Sequence, residues 1–318
     1  TIAAINTDAV CLDPKTWYSN YSHDPLCAAA LTHFEITSES EIPIKETSGF
    51  KKYLKKFKLS RTYRSYFRFE DGILYFNDRY VVPVNNQNDV LKVYHDHGLH
   101  GGHFGASVTL TKIASRFYWS RLSHAVNTYV ASCTQCQLIK AHRPGSQGLL
   151  RPTEIPEGRW YDISMDFVSG LPTSELGNDM IMVVVDLFSK RTHMIAGSYP
   201  FETKDVINAL FRYIFAYHGF PRSIISDRDT RFTSNEYQEM AKRLNIKLRM
   251  SSSNHPQTDG QTERVIQTLN RLLKTYTGNN HRNWDKFLPQ IEFVFNSTPN
   301  RTTHAAPFEV DLGYIPNE

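Results

Sequence analysis

The chain has 318 residues, 40% of them hydrophobic and 21% charged, enough for two or three domains with a sizeable core. Its 36 Lys and Arg against 32 Asp and Glu leave a formal charge of +4, a mild excess that does not by itself define a nucleic-acid binder. No apolar run in the sequence is long enough to cross a bilayer and no secretory signal is seen, and a reducing intracellular compartment is expected. Of the four cysteines, Cys11, Cys27, Cys133 and Cys136, only the last two form a close pair, and a two-residue gap suits a metal better than a disulfide. Thr1 in place of an initiator Met is expected of a chain released by proteolysis or trimmed from a longer one.

Residues 1–38 carry weak patterning and support no assignment. From Lys51 to Arg68 the character changes. Lys51, Lys52, Lys55, Lys56, Lys58, Arg61, Arg64 and Arg68 are interleaved with Tyr53, Phe57, Tyr63, Tyr66 and Phe67, with no acid among them. The five aromatics favour contact with DNA, through Lys51, Lys52, Lys55 and Arg64, over a merely solubilising charged strip. Asp71-Gly72 and Asn77-Asp78 are turn signals beside short β-type runs, so a small β-rich module is predicted at 60–84. Residues 86–140 read as a small helical unit. Val90, Leu91 and Tyr94 give a helix ending near His95. Val108, Ile113, Phe117 and Trp119 give a second, opening near Ser107, and Val126, Tyr129 and Val130 a third. Arg143-Pro-Gly-Ser-Gln-Gly148 is a linker by composition. Residues 157–318 then alternate, with strands expected at 160–168, 180–187, 193–195, 222–226 and 246–250. Helices are expected at 203–217, 234–244, 260–276 and 284–296. This order predicts an α/β mixed sheet with helices on both faces.

Two constellations carry chemistry. The first is His95-Asp-His-Gly-Leu-His-Gly-Gly-His103, followed after 29 residues by Cys133-Thr-Gln-Cys136. Zinc takes four ligands in a tetrahedron, and a helix end with its loop plus a tight Cys turn supplies them. The expected ligands are His95, His103, Cys133 and Cys136, with His97 the main rival to His95 and His100 a weaker one. A unit of about 50 residues has little core, so a structural metal is expected to hold it together. With four protein ligands the site is closed and carries no catalysis.

The second constellation is acidic. Asp166 lies in the strand-like run Tyr161–Val168, Asp227 ends Ser223-Ile-Ile-Ser-Asp227, and Glu263 opens a helical run after 35 intervening residues. Three carboxylates from separate elements that converge on one point bind two divalent cations, Mg²⁺ or Mn²⁺, and so cut and rejoin phosphodiester bonds. Asp162, Asp186, Asp229 and Asp259 are nearby rivals, Asp186 as a structural or auxiliary acid. The polar stretch 251–262, with Pro256 and Gly260, is expected to be a mobile loop beside this site. Beyond Glu263, Gln267, Asn270, Arg271 and Lys274 share one helical face that could lie along a phosphate backbone, a solvated face being the alternative.

Several strings resemble integrases of gypsy-class (metavirus) LTR retrotransposons. They are Gly102-His-Phe-Gly105, Phe117-Tyr-Trp119, Cys133-Thr-Gln-Cys-Gln137, Ser164-Met-Asp-Phe-Val168, Val185-Asp-Leu-Phe-Ser-Lys190, Tyr217-His-Gly-Phe-Pro221, Ser226-Asp-Arg-Asp229, His255-Pro-Gln-Thr-Asp-Gly-Gln-Thr-Glu-Arg264 and Ala306-Pro-Phe-Glu309. The resemblance runs from about residue 70 to the C-terminus. It implies an RNase H-like catalytic core at 157–318, after a linker at 143–156, a zinc-binding domain at 86–142 and a β-containing N-terminal extension at 1–85. It implies that Asp166, Asp227 and Glu263 form the metal-binding triad for trimming element ends and transferring their 3′-hydroxyls into target DNA. Implied partners are retroelement LTR-end DNA, target chromosomal DNA, further copies of the chain in a multimer (a tetramer) and, where one exists, a host targeting factor, but no membrane. The implied place of action is the nucleus, after a cytoplasmic particle stage. The family commonly continues into an SH3-like domain or chromodomain, and this sequence stops before either. Two other readings differ in class: a ribonuclease H-type nuclease, which needs a fourth acid and lacks a zinc unit, and a domesticated DNA-binding scaffold without catalysis.

Overall fold

A computed structural model describes residues 12–34, 48–97, 101–139, 156–250, 256–278, 280–300 and 302–316, and of 139 and 256–261 the backbone alone. The chain divides into two compact units, Thr1–Gln137 and Leu138–Glu318.

In the first unit a 3₁₀ helix, Pro14–His23, leads into α1, Pro25–His33. Asp24 caps α1 by accepting from the amides of Leu26 (2.8 Å) and Cys27 (3.0 Å). Its second oxygen accepts from Val84 at 3.1 Å and ties the helix to a distant segment. Helices α2, Ser48–Leu59, and α3, Arg61–Ser65, precede the meander β1 (Phe67–Glu70), β2 (Ile73–Phe76) and β3 (Arg79–Val81). Both hairpins turn on residue pairs with positive φ, Asp71-Gly72 and Asn77-Asp78, the backbone that two-residue turns of this twist require. Then come α4 (Gln87–His95), α5 (Ala106–Arg116), β4 (Phe117–Tyr118), α6 (Leu122–Ser132) and α7 (Thr134–Ile139).

Three expectations change here. Residues 61–65 are helical, and the β module starts at Phe67. Phe117 is not the end of a helix: it enters β4, which pairs in parallel with β3 through Tyr80↔Phe117, because the open edge of the meander offers its backbone a partner. The described part of the weakly patterned start, 12–34, supplies core, since Trp17, Tyr21 and Leu26 to Leu31 are buried in the same cluster as Leu74, Val90, Ile113 and Val126. Helices α4, α5 and α6 and the described N-terminal residues from Trp17 thus share one hydrophobic interior.

The second unit holds β5 (Asp162–Val168), β6 (Met180–Asp186), β7 (Thr192–Gly197), β8 (Ser223–Ser226) and β9 (Lys247–Met250) in the order β7-β6-β5-β8-β9. The first three are antiparallel neighbours, and β8 and β9 continue in parallel beyond β5. The helices are α8 (Thr203–Ala209), running through a π-turn at Leu210–Phe215 into α9 (Ala216–His218), then α10 (Thr230–Thr233) and α11 (Asn235–Arg243). After β9 follow α12 (Pro256–Thr277), a 3₁₀ turn at His281–Phe287, α13 (Leu288–Asn296) and α14 (Pro307–Leu312). Every residue of β6 is buried, as a strand covered on both faces must be. Ile163, Met165, Met182, Val184 and Ile224 pack against Val206, Leu210, Ile214 and Tyr237 on one face. On the other, α12 buries the stripe Thr262, Val265, Leu269, Leu272 and Leu273. There α13 is pinned where Asn296 accepts from the Thr192 amide (2.9 Å) and donates to its carbonyl (2.8 Å). This is the mixed, helix-flanked sheet expected of an RNase H-like core.

The stretch expected as a mobile loop is in large part helix. Residues 251–255 lie outside the described residues, but α12 begins at Pro256. Proline is favoured at a helix's first position, where its missing N–H has no partner to lose.

Candidate metal sites

His95 is the last residue of α4, on the face that also buries Leu91 and Tyr94. The chain then doubles back. Gly101 lies so close to the His95 carbonyl that a Cβ there would sit 2.4 Å from it, and Gly102 and His103 both have positive φ. The His103 amide donates to the His95 carbonyl at 2.9 Å, which closes the loop. Cys133 caps α6 and Cys136 sits in the first turns of α7.

The four side chains meet, with one potential ligand atom from each lying within 4.8 Å of all the others. His103 Nδ1 is 3.2 Å from Cys133 Sγ and 3.7 Å from Cys136 Sγ, and His95 Nε2 is 3.3 Å from Cys136 Sγ. Zinc–sulfur bonds of about 2.3 Å and zinc–nitrogen bonds of about 2.0 Å make a tetrahedron with edges of roughly 3.3–3.8 Å, so the residues fit that ion. Burial, then the nearby His103, lowers the pKa of His95 to about 4, so its imidazole is neutral at physiological pH. Its Nδ1 lies 3.5 Å from the hydroxyl of Thr109, which donates to the Phe104 carbonyl. Thr109 therefore accepts from Nδ1–H and leaves Nε2 as the coordinating atom. No spacing rule pointed to Thr109. Of the rival histidines, His97 lies past the helix end and outside the cluster, and His100 is outside the described residues.

The two aspartates are placed by sheet register. The last paired residues of parallel β5 and β8 are Met165↔Ser226, so Asp166 and Asp227 follow side by side. Side chains alternate along a strand, which sets Asp166 on the face of Ser164, opposite buried Met165. The backbone holds both carboxylates: Asp166 Oδ1 accepts from the Phe167 amide (2.7 Å) and Asp227 Oδ1 from the Asp229 amide (3.1 Å). Helix α12 docks on that same face, where buried Thr262 donates to the Ser164 hydroxyl at 2.8 Å. Glu263 is the next residue. It is exposed, and its Oε1 lies 3.5 Å from Gln267 Nε2 along its own helix. The structure thus pairs the aspartates and carries Glu263 to their strand without drawing its oxygens in. Among the described residues, the His/Cys set alone gathers three or more potential ligands closely enough to hold an ion.

The rival acids have structural roles. Asp186 is fully buried and accepts from the amides of Trp160 (3.0 Å), Phe188 (3.2 Å) and Ser189 (2.9 Å), which fixes the turn after β6. Asp162 accepts from the Ser223 hydroxyl, and Asp229 is forked by Arg231, which holds its carboxyl below the usual range. The side chain of Asp259 is outside the described residues.

The suggested DNA contacts divide by exposure. Gln267 and Lys274 face solvent on α12, while Asn270 and Arg271 are half-buried beside its apolar stripe. On α2, Lys51, Lys52 and Lys55 are exposed, and Arg64 on α3 is half-buried. The interleaved aromatics do not form a stacking platform. Phe57, Tyr63 and Phe67 are core and pack on one another at 4.9–5.2 Å, and Tyr53 donates to Ser120 at 2.6 Å. Only Tyr66 among the five is exposed.

Residues 82–142 match the integrase zinc binding domain family, and residues 156–256 the integrase core domain family. The chain thus carries one segment similar to each of these two domain families. Among curated proteins it is similar to the Transposon Tf2-3 and Tf2-4 polyproteins of Schizosaccharomyces pombe, each 31% identical over 78% of this chain. It spans 19% of the length of these relatives. Among solved structures it is similar to a simian T-cell lymphotropic virus intasome in complex with PP2A regulatory subunit B56 gamma. That match has 18% identity and a TM-score of 0.44, and covers 68% of this chain and 75% of that one. It is also similar to the HTLV-2 integrase catalytic core domain in complex with magnesium. Here identity is 17% and the TM-score 0.40, over 48% of this chain and 96% of that one.

Proposed function

We propose that this chain is the integrase of an LTR retroelement of the gypsy class, trimming element DNA and joining its 3′ ends to target DNA. The observation that carries the reading is the β5/β8 register, which sets Asp166 beside Asp227 on the face where α12 brings Glu263. These are hard oxygen donors of the kind that hold Mg²⁺ or Mn²⁺. When bound, such ions lower the pKa of a water or hydroxyl and offset charge on the leaving oxygen. The protein's part is placement. Two backbone amides orient the aspartates, and the Thr262–Ser164 bond anchors the helix that carries Glu263 on their face of the sheet. In trimming, a water oxygen bonds to phosphorus and the bond to the 3′ oxygen breaks, leaving a 3′-hydroxyl. In joining, that hydroxyl attacks a target phosphodiester and displaces its 3′ oxygen. One phosphodiester forms as one breaks, so no nucleotide is consumed.

His95, His103, Cys133 and Cys136 hold a structural Zn²⁺. The exposed lysines of α2 and the Gln267/Lys274 side of α12 contact phosphates, without base stacking from the buried rings. The partners on this reading are the element's LTR ends, chromosomal DNA and further copies of the chain in a multimer, acting in the nucleus. The transposon polyprotein relatives support it.

The test is strand transfer of oligonucleotides matching a retroelement end into a plasmid, with Mg²⁺ or Mn²⁺. Asp227→Asn removes a charged ligand with little change of shape and is expected to lower joining at least a hundredfold, on the order of the loss of a catalytic metal ligand. Equal joining by both proteins would defeat the assignment.

A further inference from the structure

The side chain of Arg231 touches both aspartate-bearing segments. Its guanidinium grips Asp229 through two bonds, Nε to Oδ1 at 2.7 Å and Nη2 to Oδ2 at 2.6 Å. Its centre lies 3.7 Å over the ring of Phe167, whose other contacts include a stacked Phe232 at 5.2 Å and 19°. The Arg231 side chain is largely buried, at 19% exposure. Asp229 and Phe167 are the two residues whose amides hold the metal-site carboxylates: Asp229 N–H donates to Asp227 Oδ1, and Phe167 N–H to Asp166 Oδ1. A single planar, charged group thus bridges the turn after β8 and the end of β5, one residue from each aspartate or two.

We propose that Arg231 is a positioning residue that sets the separation of Asp166 and Asp227. Resting on the carboxylate reading above, this adds the device that keeps the pair at metal-binding spacing. Two like charges side by side repel, and although β5 stays paired with β6 past Asp166, nothing in the β5/β8 ladder opposes their spreading, since that pairing stops at Met165↔Ser226. The bridge begins where the ladder ends. A fork onto one segment and a ring face on the other need a planar guanidinium, and an ammonium supplies neither. The bland alternative is that Asp229 and Arg231 only cap α10. A cap affects stability and leaves the metal affinity of the folded protein alone.

The experiment measures Mn²⁺ binding to the full, zinc-loaded chain by electron paramagnetic resonance, beside thermal melts. Wild type, Asp227→Asn, Arg231→Gln and Arg231→Lys are compared at a temperature where each is folded. Arg231→Gln is expected to weaken Mn²⁺ binding about tenfold or more, the usual scale for an outer-shell partner. Arg231→Lys should recover little of it. Unchanged Mn²⁺ affinity in Arg231→Gln, or full recovery in Arg231→Lys, overturns the proposal. Should Arg231→Gln not fold, Asp229→Asn takes its place: it keeps the cap acceptor and loses the charged fork, and wild-type affinity there overturns the proposal equally. If Asp227→Asn binds Mn²⁺ as tightly as wild type, the carboxylate site itself is refuted, separately from the bridge.

Discussion

His218 shows how one buried contact becomes a pH dependence. Its ring stacks on Trp160 at 3.6 Å, and its Nε2 lies 3.0 Å from His193 Nε2. Glu292 lies 3.0 Å from His193 Nδ1 and fixes the proton there, so His193 Nε2 accepts and neutral His218 donates. Burial, then His193 and Arg191, lower the His218 pKa to about 4, from an ordinary 6.5. Between those values the unfolded chain binds a proton that the folded chain refuses, so stability falls as pH drops from 6.5 towards 4 and is flat above 6.5. Because the ring is only half-buried, the loss is on the order of 1 kcal/mol. Urea melts of wild type and His218→Gln at pH 7 and pH 4.5 measure it, and the variant should lose less stability on acidification. An equal loss in both would place the pH dependence elsewhere. At this scale the sequence was partly legible. Spacing alone left His95 and His97 as rivals, and helix phase decides between them: His95 follows Leu91 by four residues on the buried face, while His97 falls past the end of α4.

Helix α2 separates charge from packing within one element. Phe50 and Phe57 are buried and Tyr53 and Leu54 half-buried, while Lys51, Lys52, Lys55, Lys56 and Lys58 stay in water. If that face lies along DNA, the double variant Lys52→Ala/Lys55→Ala should weaken binding without changing the fold. The slope of log K against log salt should fall by roughly 0.9 for each phosphate that the variant no longer neutralises. An unchanged slope in a salt titration would make the face a solubilising strip. The amphipathic period was there to be read in Phe50, Leu54 and Phe57, but dense positive charge with interleaved rings suggests a binding surface when composition alone is weighed. Strands β5, β6 and β8 were easy to read for the opposite reason, since apolar runs such as Met180-Ile-Met-Val-Val-Val can only be buried. The start of α12 was not, because Pro, Gly, Thr and Asp are loop formers by composition. Docking of Thr262 and Val265 on the sheet outweighs that weak local preference. The sequence suggested that Glu263 converges with the aspartates; the structure puts it on the helix that docks on their face of β5, with its oxygens turned along that helix.

At the scale of the whole chain, two separate hydrophobic interiors bear on what zinc is for. A 50-residue zinc unit standing alone would owe its fold to the metal, since zinc-finger peptides gain about 10–16 kcal/mol from the ion and are unfolded without it. Here α4, α5 and α6 pack into an interior that also contains Trp17, Tyr21, Leu31, Phe57 and Leu74, none of which depends on the ligands. A metal at the four ligands would be left to hold the Gly101–His103 loop and α7, where Leu138 is 82% exposed. Chelation should therefore produce a graded response in hydrogen exchange. Amides of α7, the end of α6 and the 101–103 loop should lose protection, while α1 and β1–β3 keep most of theirs. The unit from Leu138 onward supplies an internal reference, since the described residues there include no such ligand set. Cys133→Ser should reproduce the chelated pattern without chelator, together with loss of stoichiometric zinc. Collapse of protection across all of the first unit would mean that the aromatic interior cannot stand without the ion. No change anywhere would mean that the four side chains bind no metal, and the 3.2–3.7 Å contacts among them would then be ordinary thiol–imidazole packing.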